Sequence, residues 1–169
     1  MIARVVALVA AALLVLGTAG CGGDDRATPA RPAIDQVGPA VAVVEAKLGG
    51  PRQYFEIDAT PQLVKLFVAD APKTSATTYL YVGGELAPPS APAPASGSTF
   101  AATDLTFDPG TILDNVAERL PGSDIVLFSA AVGEGGSVDY VAGVQSKEGG
   151  SLQVTLAPDG TVRAVVPDT

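Results

Sequence analysis

The sequence predicts an α+β fold of two similar units, each with one helix packed on an antiparallel sheet of three or four strands. Two segments carry apolar residues at helical spacing, and each is followed by short segments in which apolar and polar residues alternate. Such alternation is typical of half-buried strands, and turns rich in glycine and proline separate these segments. Helices segregated from strands in this way favour an α+β arrangement.

The first unit, residues 38–87, opens with a helix at Gly38-Pro39, because proline is tolerated in the first helical turn. Val41, Val44 and Leu48 then share one helical face, and Gly49-Gly50-Pro51 ends the helix. Strands are predicted at residues 54–59, 63–69 and 77–82, with a short return at 85–87 after the turn Gly83-Gly84.

A stretch rich in proline, alanine and serine, Pro88 to Ser98, follows the first unit. Proline at this density favours an extended polyproline conformation without a hydrogen-bonded ladder. We therefore expect residues 88–107 to be an exposed linker that marks a boundary between the units.

The second unit, residues 108–169, begins at Asp108, a natural N-cap for a helix with Pro109 at its first position. The apolar stripe of this helix consists of Ile112, Leu113, Val116 and Leu120, and Pro121-Gly122 ends it. Strands are predicted at residues 125–132, 138–145, 152–156 and 162–166, with a turn at Pro158-Asp159-Gly160. We expect the helical stripe to pack on Val138, Tyr140, Val154 and Leu156.

The order of a helix followed by strands thus occurs twice, with an offset of about 73 residues when Glu45 is matched to Glu118. The segment Thr111 to Leu120, together with the Asp159-Gly160 hairpin, resembles a PepSY-type domain, a helix on a sheet that closes with an Asp-Gly hairpin. The arrangement is similar to actinobacterial lipoproteins of unknown function with two such units in tandem, over most of residues 38–166. The resemblance implies protease inhibition or extracellular regulation and brings no catalytic residue.

The N-terminus carries an apolar run, Val5 to Leu16, which follows Arg4 and leads through small residues to Cys21, the one cysteine of the chain. This pattern predicts a secretory signal. The residues before Cys21 resemble the lipobox of bacterial lipoproteins, in which the thiol receives a diacylglyceryl group, although Thr18 stands where leucine is usual. An uncleaved anchor is disfavoured because a spanning helix needs about 20 apolar residues. An ordinary signal peptide followed by a free cysteine stays open as a second alternative.

These patterns predict a lipid-anchored protein on the extracytoplasmic face of the cell membrane, with lipidation at Cys21. The chain divides into a lipoprotein signal peptide (1–20), a lipidated cysteine with a flexible tether (21–37), the first unit (38–87), the linker (88–107) and the second unit (108–169).

Composition and motifs disfavour catalysis. The chain contains no histidine, which removes the usual serine and cysteine triads and nearly all zinc sites. The net charge of −8 repels nucleic acid, so no such partner is expected. Gly133 to Gly136 and Gly149-Gly150 are interpreted as hairpin turns, and a carboxylate hydrolase is a weak alternative whose candidates are Asp104, Asp108, Asp114 and Asp124. We expect no enzyme, cofactor or metal site.

The strands that contain Phe67, Tyr79 and Tyr81 carry apolar residues on both faces. Two interpretations stay open: the sheet of one unit packs on that of the other, or an apolar strip is exposed to bind a peptide or lipid. The function expected from the sequence is a non-catalytic binding or regulatory module with an envelope protein or peptide as partner. The alternative is a carrier of a hydrophobic ligand in the cell envelope.

Overall fold

The computed structural model describes residues 32–168, so Cys21 and the predicted signal peptide lie outside the described residues. The predicted mixture of helices and antiparallel strands is confirmed, with helices α1 (Val37–Leu48) and α2 (Pro109–Arg119). The strands join in one antiparallel sheet. They are β1 (Gln53–Ala59), β2 (Val64–Ala69), β3 (Ser75–Val82), β4 (Glu85–Leu86), β5 (Ala93–Pro94), β6 (Phe100–Ala101), β7 (Ser123–Val132), β8 (Val138–Ser146), β9 (Ser151–Leu156) and β10 (Val162–Pro167).

The end of α1 and the start of α2 lie where the sequence predicts them. Gly49 takes the left-handed conformation (φ 77°), and its N–H group closes the last turn of α1 by donating to the carbonyl of Ala46. At the start of α2, the Asp108 carboxylate accepts a hydrogen bond from the Thr111 N–H at 2.7 Å, with Pro109 as the first helical residue. This hydrogen bond lowers the pKa of Asp108.

The two halves of the chain share a single sheet. Along its main path the strand order is β10-β9-β8-β7-β1-β2-β3-β4, and the halves meet where β1 pairs with β7. Ile57 faces Ala130 at the centre of this junction. The expectation that the sheet of one unit packs face to face on that of the other is therefore wrong, because the halves join edge to edge.

The proline-rich segment runs along one edge of this sheet. Its residues are mostly exposed, as predicted, but Ala93–Pro94 pairs with β3. The Ser90 N–H also donates to the carbonyl of Thr78 at 3.0 Å. The expectation of a segment without a ladder is wrong at these positions. Proline is compatible with this place because an edge strand leaves one row of donors unused.

Both helices pack on one face of the sheet. The predicted stripe of α2 is confirmed there: Ile112 and Val116 are buried, and Leu113 and Leu120 pack half-buried against the same core. Tyr54, Phe128 and Tyr140 are fully buried beneath the helices, and Phe107 lies over the latter two with ring centroids 4.9 and 5.3 Å away. Because residues of both helices belong to the same buried core, the helices cover the same face of the sheet.

Candidate functional site: the uncovered sheet face

The face of the sheet opposite the helices carries the candidate site, and a β-bulge in β1 decides which side chains point there. The register with β2 shifts between Tyr54 and Glu56. As a result Tyr54 and Ile57 both point into the core, whereas Glu56 and Asp58 point to the uncovered face. Two carboxylates thereby reach the middle of the sheet, which is bordered on both sides by further strands.

A groove of about 430 Å³ lies on this face over β1, β7, β8 and β9. We call it the sheet-face groove. Its floor is low because small residues occupy the centre: Ser129, Ala131 and Gly143 all line it. A Cβ atom added at Gly143 would come within 3.2 Å of the Leu127 Cβ atom, so glycine lets these neighbouring strands approach closely.

The walls of the sheet-face groove combine apolar and acidic side chains. Leu127 and Val141 supply apolar surface, while the charged residues that line the groove are all acidic. These are Glu56, Asp139 and Asp168. Gln153 adds an amide, and among residues 32–168 no lysine or arginine lines the groove.

Glu56 and Asp139 flank Ala131 in a single row across three strands. Ala131 faces Glu56 on β1 and Asp139 on β8. Since neighbouring strands lie about 4.8 Å apart, the two acidic residues are separated by about 10 Å at the backbone, with only a methyl group between them. This row is the part of the groove with the most negative charge and the smallest intervening side chain.

Burial and repulsion act on the charge of Glu56. Partial burial, followed by the negative charge of Asp58, raises the pKa of Glu56 above its ordinary value, and Lys65 acts in the opposite direction. A raised pKa means that the folded protein disfavours the ionised carboxylate. The charge of Glu56 therefore costs folding stability at neutral pH.

Asp58 is partnered within the fold. The Ser129 hydroxyl donates to its carboxylate at 2.5 Å, across the junction of β1 and β7. Lys65 faces Asp58 from β2, and the Lys65 ammonium group lies 5.5 Å from the centroid of the Phe67 ring. We assign Asp58 to holding the junction together, whereas Glu56 faces the groove.

Asp139 is positioned by the hairpin between β7 and β8. A Cβ atom at Gly133 would collide with the Asp139 carboxylate, so this carboxylate folds over the Gly133 backbone. The Gly133 N–H donates to the carbonyl of Ser137 at 2.9 Å, and the Gly136 N–H donates to the carbonyl of Gly133. The interpretation of these glycines as a hairpin turn is confirmed.

The four carboxylates suggested for a hydrolase do not line this groove, and three of them have local roles. Asp104 accepts the Ala101 N–H at 2.8 Å, Asp108 caps α2, and Asp124 forms an ion pair with Lys147 at 3.8 Å. Asp114 is exposed on α2. Within residues 32–168, no group of three or more metal-ligating side chains is placed to hold a metal ion.

A second groove lies on the helical side. It has a volume of about 400 Å³ and runs between the start of α1 and the segment 102–109. Ile34, Val37, Leu105 and Phe107 give it a largely apolar lining, with Asp35 at its edge. We call it the helix-side groove. Its base is the aromatic core itself, where the Tyr140 hydroxyl accepts the Thr106 N–H at 3.0 Å.

Comparison with known proteins adds no identification. No family model matches the chain, no curated protein matches it, and no solved structure matches its fold. Among the described helices, neither α1 nor α2 is long and apolar enough to cross a membrane.

Proposed function

We propose that this protein is a membrane-anchored extracytoplasmic lipoprotein that acts as a non-catalytic binding or regulatory module. The observation that carries the proposal is the sheet-face groove, an open concave surface on the face that the helices leave uncovered. A surface with apolar walls and a few placed polar groups is typical of recognition sites. Attachment through Cys21 is part of the proposal and is supported by the sequence around this residue.

The side chains in the groove support binding more than catalysis. Its charged groups are carboxylates, which accept hydrogen bonds and attract cations. Ser129, the hydroxyl residue there, already donates to Asp58. With no histidine in the chain, a partner that binds is a simpler occupant of this surface than a substrate that reacts.

We also propose that the two halves of the chain are two PepSY-like units. Its support is the mirrored strand order on the two sides of the β1–β7 junction, with one helix preceding the strands of each half. The offset of about 73 residues relates Ile57 to Ala130, the pair at the centre of the junction. It does not relate the buried positions of the helices, since Val41 then falls on exposed Asp114. Superposition of α1–β3 on α2–β9 in an experimental structure tests this equivalence.

Site-specific photo-crosslinking tests binding at the groove. A benzoylphenylalanine replaces Gln153, an exposed residue that lines the sheet-face groove, or Glu118, an exposed residue on α2. In the native envelope, the first position should give a discrete protein adduct and the second should not. Adducts of equal yield from both positions, or none from Gln153, would contradict the proposal.

A second candidate function, a carrier of a hydrophobic ligand, is favoured by the helix-side groove. Its apolar lining suits an acyl chain, although the groove is open to solvent and the core beneath it is filled by aromatic rings. Binding of a fluorescent fatty acid tests this function. The variant Ala102→Glu, at a lining residue, should abolish binding, whereas Thr103→Glu, at an exposed neighbour that does not line the groove, should preserve it.

A further inference from the structure

We infer that the sheet-face groove recognises a linear protein segment in which lysine or arginine side chains lie among apolar residues. The inference rests on the proposed binding function and specifies the chemistry of the partner. It is drawn from the combination of apolar walls with carboxylates and from the absence of lysine and arginine among the residues between 32 and 168 that line the groove.

The apolar part of the sheet-face groove favours a partner with apolar side chains over a purely polar ligand. Leu127 and Val141 present apolar surface, and Leu127 is 36% exposed, so this surface is in contact with water in the free protein. Covering it is favourable in proportion to the apolar area removed from water. The partner therefore brings apolar side chains.

The acidic side chains of the sheet-face groove complement a cationic partner. Glu56 and Asp139 lie on either side of Ala131, at a backbone separation of about 10 Å, so both place negative charge along the same groove, one toward Asp58 and the other over Gly133. An ammonium or guanidinium group here would form charge-assisted hydrogen bonds, which are stronger than neutral ones. Lys65 faces Asp58 from β2 and is close enough to oppose the rise in the pKa of Glu56, but it does not line the groove.

The fold holds the carboxylates of Glu56 and Asp139 in defined positions rather than leaving them fully solvated. The Asp139 carboxylate is folded over Gly133, a residue that leaves room for it because it lacks a side chain. Glu56 is half-buried in the middle of the sheet. Both carboxylates thus occupy defined places before any partner arrives, and pre-organisation of this kind strengthens binding.

The experiment uses the full chain in detergent and a fluorescein-labelled peptide, Leu-Arg-Val-Arg-Leu, with fluorescence anisotropy as the readout. A second peptide carries citrulline, an uncharged analogue of arginine, at both arginine positions. We expect the citrulline peptide to bind at least about tenfold more weakly, since a hydrogen bond to a charged group is worth more than a neutral one. We also expect added salt to weaken binding of the arginine peptide alone.

Variants locate the effect. Glu56→Gln and Asp139→Asn should each lower the affinity for the arginine peptide by about tenfold and leave the affinity for the citrulline peptide unchanged. Gly133→Ala, which keeps every charge but displaces the Asp139 carboxylate, should weaken the arginine peptide as well. The matched control Glu118→Gln removes a carboxylate on the helical side and should change neither affinity. A urea melt of each variant verifies that it is folded.

The outcomes separate this inference from the proposed function. Equal binding of both peptides, reduced for both by Val141→Asp, would overturn the cationic partner and preserve a binding groove. Equal losses from Glu118→Gln and Glu56→Gln would mean that the arginine peptide follows the net charge of the chain, and would also overturn the inference. If neither peptide binds and the crosslinker at Gln153 yields no adduct, both the inference of a cationic partner and the proposed binding function are overturned.

Discussion

Truncation of Ile112 to alanine tests how α2 is docked on the sheet. Ile112 is 0% exposed, on the helical face that meets the core. The substitution removes three buried carbon atoms, worth about 2.4 kcal/mol at about 0.8 kcal/mol each. The residual cavity adds to this cost, and the higher helix propensity of alanine returns a few tenths of a kcal/mol. We expect the free energy of unfolding to fall by about 2.5–4 kcal/mol.

Urea denaturation measures this loss. With a slope of about 2 kcal/mol per molar urea, the midpoint should fall by about 1–2 M. Leu113→Ala, at a half-buried position of the same stripe, should lower the midpoint by about half as much, and Asp114→Ala, at an exposed position, should change stability by less than about 0.5 kcal/mol. If Ile112→Ala and Asp114→Ala shift the midpoint equally, α2 is not docked through this stripe and the reasoning is refuted.

Three further predictions follow. Cys21→Ala should release the protein from membranes or stall it as an uncleaved precursor, and mass spectrometry that finds an unmodified Cys21 on the mature chain would refute the anchor. Glu56→Gln should raise the urea midpoint at pH 7, because the raised pKa of Glu56 makes its ionised form destabilising. This gain should vanish as the pH falls below the ordinary glutamate pKa of about 4.3, and Glu118→Gln should show no such pH dependence. Limited proteolysis should cut exposed Pro88–Ser98 before Val138–Ser146, and cleavage in the reverse order would show that Val138–Ser146 is not part of the core.

The sequence predicts those parts of the fold that are encoded by neighbouring residues. The start of α2 depends on Asp108, Pro109 and Thr111, which lie within one turn of each other. The end of α1 depends on Gly49, whose left-handed conformation is adopted by glycine without a steric penalty. Both boundaries are therefore readable without any knowledge of tertiary structure.

The junction of the two halves cannot be read in this way. Pairing of β1 with β7 brings Ile57 beside Ala130, residues that are far apart along the chain, and neither strand carries a local signal for its partner. For this reason the sequence alone does not determine how the two sheets meet. The edge-to-edge arrangement also decides the candidate site, because within residues 32–168 both helices pack on one face of the sheet and leave the other without a covering layer.

The candidate site was missed for a local reason as well as a distant one. Strict alternation along β1 places Tyr54, Glu56 and Asp58 on the same face, which would make the carboxylates neighbours of a core tyrosine. The bulge after Tyr54 separates them, and no glycine or proline marks it in the sequence. Asp139 alternates cleanly with Val138 and Tyr140, so its outward direction was predictable, but its proximity to Glu56 required the junction.

The energetics of Glu56 distinguish a binding surface from a merely soluble one. An uncovered sheet face needs polar groups for solubility, and fully hydrated carboxylates at its rim would supply them without cost. Glu56 instead lies half-buried at the centre of the sheet, where burial and the nearby charge of Asp58 raise its pKa, so ionisation is less favourable in the folded than in the unfolded chain. A glutamine at this position would be polar and would avoid that cost. A charge kept where it destabilises the fold is expected where function needs it, and an approaching cation is the partner that removes the penalty.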